Sequence, residues 1–132
     1  MIILEKRLAE IIIGQCKREH PFEACGILAG SSGRGEKVYE MTNAERSAET
    51  FLMDPKEQFK VMKDMRALNL EMVGIYHSHV ASEAYPSSHD VKMAFYPEAS
   101  YVIVSLKSMD NPVMRSFKIV GRKITEEELK IV

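Results

Sequence analysis

The strongest constraint on the fold is an alternation, sustained along the whole chain, between amphipathic helical segments and short apolar segments typical of buried strands. The apolar side chains of residues 3–19 recur with helical spacing, whereas Tyr101-Val102-Ile103-Val104 is a branched and aromatic run that favours a strand. No repeat, low-complexity tract or linker interrupts the alternation. The sequence therefore predicts one domain, residues 1–132, of the α/β (α+β) class, with a single mixed β-sheet flanked by helices.

The predicted elements follow the order α β β β α β α β β β. Asp54-Pro55-Lys56-Glu57 marks the start of the second helix, since it supplies a capping acid, a proline at the first helical position and a glutamate three residues after the cap. A third helix is predicted from Ser87 to Pro97, with Val91, Ala94 and Phe95 facing inward. The predicted strands cover residues 25–30, 37–43, 50–53, 72–79, 101–104, 113–120 and 130–132.

Composition and charge exclude several classes of function. The chain carries 18 basic and 19 acidic side chains, a net charge of -1 that argues against a nucleic acid or an anionic membrane as the main partner. No apolar run approaches the roughly 18 residues that a membrane span needs. The first residues do not resemble a secretion signal, so we expect a cytoplasmic protein. With Cys16 and Cys25 alone, a cysteine-rich zinc ribbon is excluded, and both thiols are expected to be buried and unreactive.

A pattern of histidine, serine and aspartate indicates where the chemistry lies. His77 and His79 are two residues apart on a predicted strand, so their side chains share a face, and Asp90 begins the next helix. Two imidazoles and a carboxylate suit a tetrahedral zinc ion whose fourth position is left to water. The spacing of Ser87 and Asp90 is also that of a helix capping box. Ser78 should point to the opposite face and be structural.

From His77 to Asp90 the chain resembles the JAMM (MPN-plus) zinc metalloproteases. His77-Ser78-His79, a seven-residue gap, Ser87 and Asp90 match the defining positions of that motif, and Glu23 stands where the family has an upstream glutamate before a Cys-Gly-hydrophobic strand. Val80 stands where the family commonly has proline, a change that removes no chemical group.

The resemblance extends over nearly the whole chain. Met53-Asp54-Pro55 and the segment from Tyr96 to Tyr101 are similar to the compact prokaryotic branch of the family. The implied fold is the MPN/JAMM fold, which is similar to that of the cytidine deaminases.

The resemblance also implies a role for each residue of the motif. His77, His79 and Asp90 would bind one Zn²⁺ ion per chain. Glu23 would be the general base, and its apolar neighbours are expected to raise its pKa. Ser87 would donate its hydroxyl to the oxyanion.

The implied activity is that of a peptidase or isopeptidase acting at the C-terminal glycine of a partner protein. That partner would be a sulfur-carrier or ubiquitin-like protein with a diglycine tail, held along a strand edge that leads to the zinc. Two alternatives stay open: an isopeptide substrate in place of a sulfur-carrier adduct, and a non-catalytic MPN-type interaction scaffold.

Other zinc enzymes do not fit the sequence. The zincin motif His-Glu-x-x-His is absent, and Ala24 stands where the inverted motif that starts at His20 would need a histidine. The deaminase signature of His-x-Glu and Pro-Cys-x-x-Cys is absent as well. We expect His20 and His89 to be surface residues.

Overall fold

The computed structural model, which describes residues 1–132, consists of eight strands and three helices. The strands are β1 Ile2–Leu4, β2 Cys25–Ser31, β3 Arg34–Met41, β4 Glu71–His79, β5 Ser100–Ser105, β6 Val113–Val120, β7 Lys123–Glu127 and β8 Leu129–Ile131. The helices are α1 Lys6–Glu19, α2 Pro55–Ala67 and α3 Ser88–Lys92. No helix is both long enough and apolar enough to cross a membrane.

All eight strands belong to one mixed sheet with the order β7-β6-β5-β4-β2-β3-β1-β8. Three pairs, β4 with β5, β1 with β3 and β1 with β8, are parallel, and the other pairs are antiparallel. The predicted class, a mixed α+β fold with one sheet flanked by helices, is confirmed.

The helices cover both faces of the sheet. On α1, Leu8, Ile12 and Cys16 recur every four residues and form a buried stripe, and the last two join Tyr76 and Val102 on one face. On the other face α2 contributes Met65, which packs in the same cluster as the inward residues of β2, β4 and β5. From Ile75 onward, successive residues of β4 therefore alternate between the two apolar layers, with Ile75 in one and Tyr76 in the other.

Strand β4 lies at the centre of the sheet, between β2 and β5. Cys25 of β2 pairs with His77, and Ser105 of β5 pairs with His79, so the end of β4 is held by neighbours on both sides. The pairing with β2 continues one residue before that strand begins, because the backbone N–H of Ser78 donates to the Ala24 carbonyl at 3.1 Å. The polar residues at the end of β4 thus stand on a backbone that is paired on both edges.

The observed elements differ from the predicted ones at both ends of the chain and around residue 50. The first helix begins only at Lys6, because the preceding residues form β1 and pair with β3 and β8 at a distance in sequence that periodicity cannot detect. Residues 50–53 form no strand and make only the bridge between Asn43 and Met53. Strand β7 was not predicted, since its sequence is polar and only its pairing with β6 makes it a strand.

The third helix is shorter than predicted. It ends at Lys92, and Phe95 is 68% exposed instead of facing inward. Val91 and Ala94 do pack against the core. A helix of one turn suffices here because its cap and its contact with β4 position it, whereas the chain beyond it turns toward β5.

The predicted cap of α2 is present in part. Asp54 accepts hydrogen bonds from the backbone of Lys56 at 2.8 Å and of Glu57 at 3.3 Å. The Glu57 carboxylate, however, does not return to the cap; it accepts from the backbone and the hydroxyl of Thr42, both at 2.7 Å. Glu57 therefore ties the start of α2 to the residue that follows β3.

A pair of glycine substitutions tests this packing. In Gly26→Ala the new Cβ would lie 2.1 Å from the Tyr76 ring, so we expect a loss of about 1–3 kcal/mol in the free energy of unfolding from overpacking. Gly14 of α1 has nothing within 4 Å of an added Cβ, and Gly14→Ala should instead gain about 0.5–1 kcal/mol because alanine favours the helix. Urea unfolding of the two variants measures both; equal effects would contradict the described position of Tyr76.

Candidate metal centre

Three side chains converge beside the end of β4: His77 and His79 from the strand and Asp90 from α3. His77 Nε2 lies 3.1 Å from His79 Nε2, and Asp90 Oδ2 lies 3.1 Å from the first nitrogen and 3.0 Å from the second. Ligand atoms of a tetrahedral zinc ion with bonds of about 2.0–2.1 Å lie roughly 3.3–3.4 Å apart. The three atoms therefore fit one triangular face of such a site.

The ring of His79 is oriented as a ligand. Its Nδ1 lies 2.8 Å from the carbonyl oxygen of Glu83, which can only accept, so Nδ1 carries the proton. In the neutral ring Nε2 then presents its lone pair to the other two ligand atoms. Burial opposes protonation of His79, but the bonds to Asp90 and to the Glu83 carbonyl outweigh it and raise its pKa.

The ring of His77 is buried and oriented differently. Its Nδ1 is buried and has no protein hydrogen-bond partner. The ring of Phe51 stacks on the imidazole, with a centroid distance of 4.7 Å and an angle of 28° between the planes. Burial lowers the pKa of His77 and outweighs the opposing hydrogen bond with Asp90, so the neutral ring that a metal requires is favoured.

Asp90 serves the helix and the cluster at once. Its Oδ2 accepts from the backbone of Ser87 at 2.9 Å, and Ser87 Oγ accepts from the backbone of Asp90 at 3.1 Å, which closes a capping box. Burial alone would raise the pKa of Asp90, but the hydrogen bonds with His77 and His79 hold it far below its usual range. The capping interpretation of the Ser87–Asp90 spacing is therefore confirmed, and the same carboxylate also faces both imidazoles.

Glu23 lies next to this cluster, just before β2. It is 3% exposed, and its Oε1 has no hydrogen-bond partner. Burial raises its pKa to about 8, with His79 acting against this shift and Asp90 in its favour. Its backbone N–H donates to the Ser47 carbonyl at 2.8 Å. The raised pKa expected from its apolar neighbours is thus present in the structure.

A cleft of about 270 Å³ brings Glu23, His79 and Ser87 to a common space. Its other walls are formed by Ala48, Glu49, Val80, Ala81 and Ser82. The largest cavity, about 480 Å³, is lined by residues such as Lys107 and Arg115 and contains none of the three clustered side chains. The smaller cleft is the one where the Glu23 carboxylate, the Ser87 hydroxyl and one candidate metal ligand, His79, meet.

One side chain that sequence reasoning missed organises the loop beside the cleft. Asn43 is buried, and its amide donates to the carbonyls of Glu23 at 3.1 Å and Thr50 at 3.0 Å, while its Oδ1 accepts from the backbone of Leu52 at 3.1 Å. In the sequence, the only signal is an asparagine at the end of a predicted strand and a phenylalanine a few residues later. Neither Asn43 nor Phe51 belongs to a pattern that identifies a role.

Other predicted side chains have the following positions. Ser78 is buried and accepts from the backbone of Ala24 at 2.8 Å, which confirms a structural role. Cys16 and Cys25 are buried, and burial raises the pKa of both thiols to about 12. His20 is exposed, but the prediction for His89 is wrong in part, because it is half-buried on α3.

The path of a bound tail along a strand edge stays a prediction. Both edges of β4 are paired, and the sheet ends at β7 on one side and β8 on the other. None of the clustered residues lies on either of these strands. The edges of β4 itself are therefore closed to a tail, whereas β1 pairs with β3 only at Arg34, and the walls near His79 are the loops that line the cleft.

The chain is similar to known proteins both in sequence and in structure. Residues 5–120 match the family described as prokaryotic homologs of the JAB domain. The CysO-cysteine peptidase of Mycobacterium tuberculosis is 42% identical over 134 aligned residues, which cover 100% of this chain and 92% of the relative. A desampylase of Pyrococcus furiosus is 41% identical over 70 residues, 53% of this chain and 50% of the relative.

Two solved structures illustrate the similarity in fold. The solution structure of a protein from Desulfitobacterium hafniense matches with a TM-score of 0.91 and 40% identity, covering 100% of this chain and 93% of the other. A structure described as a metalloprotease-like zinc site in the proteasome and signalosome (JAMM) matches with a TM-score of 0.66 and 21% identity, covering 100% and 98%. The second, at that identity, establishes the likeness in fold alone.

The buried carboxyl of Glu23 should make the free energy of unfolding of the metal-free protein depend on pH. A pKa of about 8 in the folded state against 4.5 for an ordinary glutamate means that the folded state retains the proton, so stability falls as pH rises through this window. Glu23→Gln does not titrate, and its advantage over the unmodified chain should grow from pH 5 to pH 9 by on the order of 2–4 kcal/mol.

Urea unfolding in EDTA at both pH values measures this difference. The matched control is Glu10→Gln, which removes an exposed carboxylate of α1 outside the cleft, and the growth in stability with pH should be larger for Glu23→Gln than for this control. A pH-independent difference for Glu23→Gln would contradict the buried position of its carboxyl.

Proposed function

The chain belongs to the family of prokaryotic homologs of the JAB domain, and we propose from this premise that it is a zinc-dependent peptidase or isopeptidase. The predicted resemblance, the MPN/JAMM fold and a hydrolase of the JAMM type are confirmed by the family match and the named relatives. The proposed reaction is hydrolysis of an amide bond at the C-terminal glycine of a sulfur-carrier or ubiquitin-like protein. The observation that carries the proposal is the convergence of two imidazole nitrogens and a carboxylate oxygen beside a buried glutamate.

His77, His79 and Asp90 would hold the zinc ion through Nε2, Nε2 and Oδ2. These atoms are mutually 3.0–3.1 Å apart, and three protein ligands are the number that catalytic zinc sites use. A zinc ion held there would supply Lewis-acid activation of water and of the scissile carbonyl. The burial of all three side chains limits competition from solvent for the ligand atoms.

Glu23 is proposed as the general base. Its Oε1 is free of other partners, and the carboxylate lines the same cleft as His79. A carboxylate without fixed hydrogen bonds can accept a proton from the attacking water and then deliver it to the leaving amine nitrogen. The burial that raises its pKa also makes it a stronger base than an exposed glutamate.

Ser87 is proposed to stabilise the oxyanion. Its Oγ accepts the hydrogen bond from Asp90 through a lone pair, which leaves the hydroxyl proton free to donate. Because Ser87 is exposed and lines the cleft, that proton can reach the developing negative charge on a substrate carbonyl. The capping bond fixes the oxygen in place before the substrate arrives.

The sulfur-carrier adduct is the preferred substrate class. The relative named CysO-cysteine peptidase is similar over the whole chain, whereas the similarity to the desampylase covers about half of it. A diglycine tail suits the cleft because glycine lets the backbone approach side chains closely. The tail would lie against the loops that line the cleft, which include Ala48 and Val80.

Substitutions in the proposed site should separate binding of the metal from turnover. Glu23→Gln keeps the shape of the side chain and removes the base, so zinc content should stay stoichiometric while kcat falls by about 10²–10⁴-fold. His77→Ala and Asp90→Asn remove or weaken a ligand, so zinc affinity and activity should fall together by more than about 100-fold. Zinc content by elemental analysis and turnover of one substrate measure both, and full activity in Glu23→Gln would exclude this mechanism.

A direct comparison of substrates tests the assigned class. The zinc-loaded enzyme is given a diglycine-tailed sulfur-carrier protein linked through its C-terminus to a single amino acid, and separately an isopeptide-linked ubiquitin-like protein. We expect the amino acid to be released faster than the isopeptide-linked protein is cleaved, as detected by the mass of the freed carrier. Release should stop after EDTA is added and recover after zinc is restored. Zinc-free protein with no effect of EDTA would support the non-catalytic scaffold instead.

A further inference from the structure

The two histidines of the proposed site differ in how their rings are fixed. Metal-ligating histidines usually donate the second ring N–H to a carbonyl or carboxylate, which sets the orientation of the ring. His79 does so through the Glu83 carbonyl at 2.8 Å. His77 Nδ1 is buried without any such acceptor. The orientation of the His77 ring must therefore depend on packing.

Phe51 provides that packing. Its ring lies over the His77 imidazole at 4.7 Å between centroids, with the planes inclined by 28°, which is a stacked arrangement. A ring covering one face of the imidazole resists rotation about the bond that joins the imidazole to Cβ. The free lone pair of Nε2 then stays directed toward His79 and Asp90.

Phe51 itself lies in a loop and is held there by Asn43. The Asn43 amide donates to the carbonyl of Thr50 at 3.0 Å, and its Oδ1 accepts from the backbone of Leu52 at 3.1 Å. The residues immediately before and after Phe51 are thus fixed by one buried side chain. A backbone hydrogen bond from Ala44 to the Leu52 carbonyl, at 2.7 Å, closes the same loop.

The same amide also reaches the proposed base. Asn43 Nδ2 lies 3.1 Å from the carbonyl oxygen of Glu23, so one side chain bonds to the backbone of the base and to both neighbours of the stacking ring. The loop and the segment before β2 that carries Glu23 are therefore positioned together.

We propose that Phe51 is a positioning residue for the metal centre, whose stacked ring takes the place of the hydrogen bond that His77 Nδ1 lacks, and that Asn43 fixes Phe51 in register with Glu23. The inference rests on the proposed zinc site and concerns how tightly and in what geometry the ion is held. It assigns no contact between Phe51 and the substrate.

Zinc affinity of Phe51 variants tests the inference. Phe51→Ala removes the ring, Phe51→Leu keeps apolar volume without an aromatic face, and Phe51→Tyr keeps the ring. Competition with a chromogenic chelator should show about a 10-fold loss of zinc affinity in the first two, the size seen when a ligand loses its outer support, and wild-type affinity in Phe51→Tyr. Phe51→Leu carries the test if Phe51→Ala does not fold.

The matched control is Phe95→Ala, which removes a phenyl ring from the same apolar pocket without touching a ligand. It should keep the affinity of the unmodified chain. The visible absorption of the Co²⁺-substituted protein adds a readout that reduced stability alone does not move: the spectrum should change in Phe51→Leu and be restored in Phe51→Tyr. Unchanged affinity and an unchanged Co²⁺ spectrum in Phe51→Leu would overturn the inference.

Asn43→Asp tests the second part. It keeps the acceptor oxygen and loses the donors to Glu23 and Thr50, so we expect the same Co²⁺ spectral change as in Phe51→Leu and faster proteolysis of the loop at residues 44–52. A cobalt spectrum identical to that of the unmodified chain would remove Asn43 from the inference. If the unmodified chain binds no zinc at all, the proposed function fails first, and this result is distinct from a chain that binds zinc equally with and without Phe51.

Discussion

The pairing of β4 on both of its edges is the constraint on which the rest of the structure depends. A central strand cannot slip by one residue without exchanging the layers that its side chains face, because Tyr76 and Ile75 belong to opposite apolar clusters. His77 and His79 continue the alternation of Ile75, so the register that buries the core also directs both imidazoles to the face where α3 lies. The position of the imidazoles is therefore secured by the burial of apolar surface, and the chemistry of the site need not supply that stability.

Asp90 shows how the second half of the cluster is obtained from helix formation. A one-turn helix is marginal by itself, and the capping box between Ser87 and Asp90 is what starts it. The same carboxylate oxygen that accepts the Ser87 N–H faces both imidazole nitrogens. Removing its charge would weaken the helix start and the cluster together. The capping box alone thus requires Ser87 and Asp90 to stand three residues apart, independently of any role in catalysis.

The sequence predicted the proximity of His77, His79 and Asp90 better than it predicted the boundaries of the fold, and the reason is physical. The spacing of His77, His79, Ser87 and Asp90 is local, and a strand followed by a capped helix converts it directly into proximity. Glu23 is distant in sequence and could be assigned only through the family resemblance. Strand β1 pairs with β3 and β8, which lie far along the chain, and β7 forms a hairpin with β6 although its sequence is mostly polar. Periodicity in the sequence therefore reveals neither strand.

Asn43 and Phe51 could not be identified from sequence for a related reason. The role of Asn43 arises from three hydrogen bonds to backbone atoms of Glu23, Thr50 and Leu52, and backbone atoms leave no signature in the letters. Phe51 lies in a segment whose composition favours a strand, yet the loop geometry turns its ring onto an imidazole.

The buried polar groups of the site explain why such packing is needed. Glu23 and His77 each retain an atom without a protein partner, and such groups oppose folding by about 1–3 kcal/mol each. A loop that is fixed only by exposed contacts could relieve that cost by opening and admitting water. Because Asn43 satisfies the backbone at both sides of Phe51 and at Glu23, opening the loop would break these three hydrogen bonds at once. The arrangement therefore keeps in place Glu23 Oε1, the atom proposed to accept the proton, and the His77 ring, whose other nitrogen, Nε2, is the proposed ligand atom.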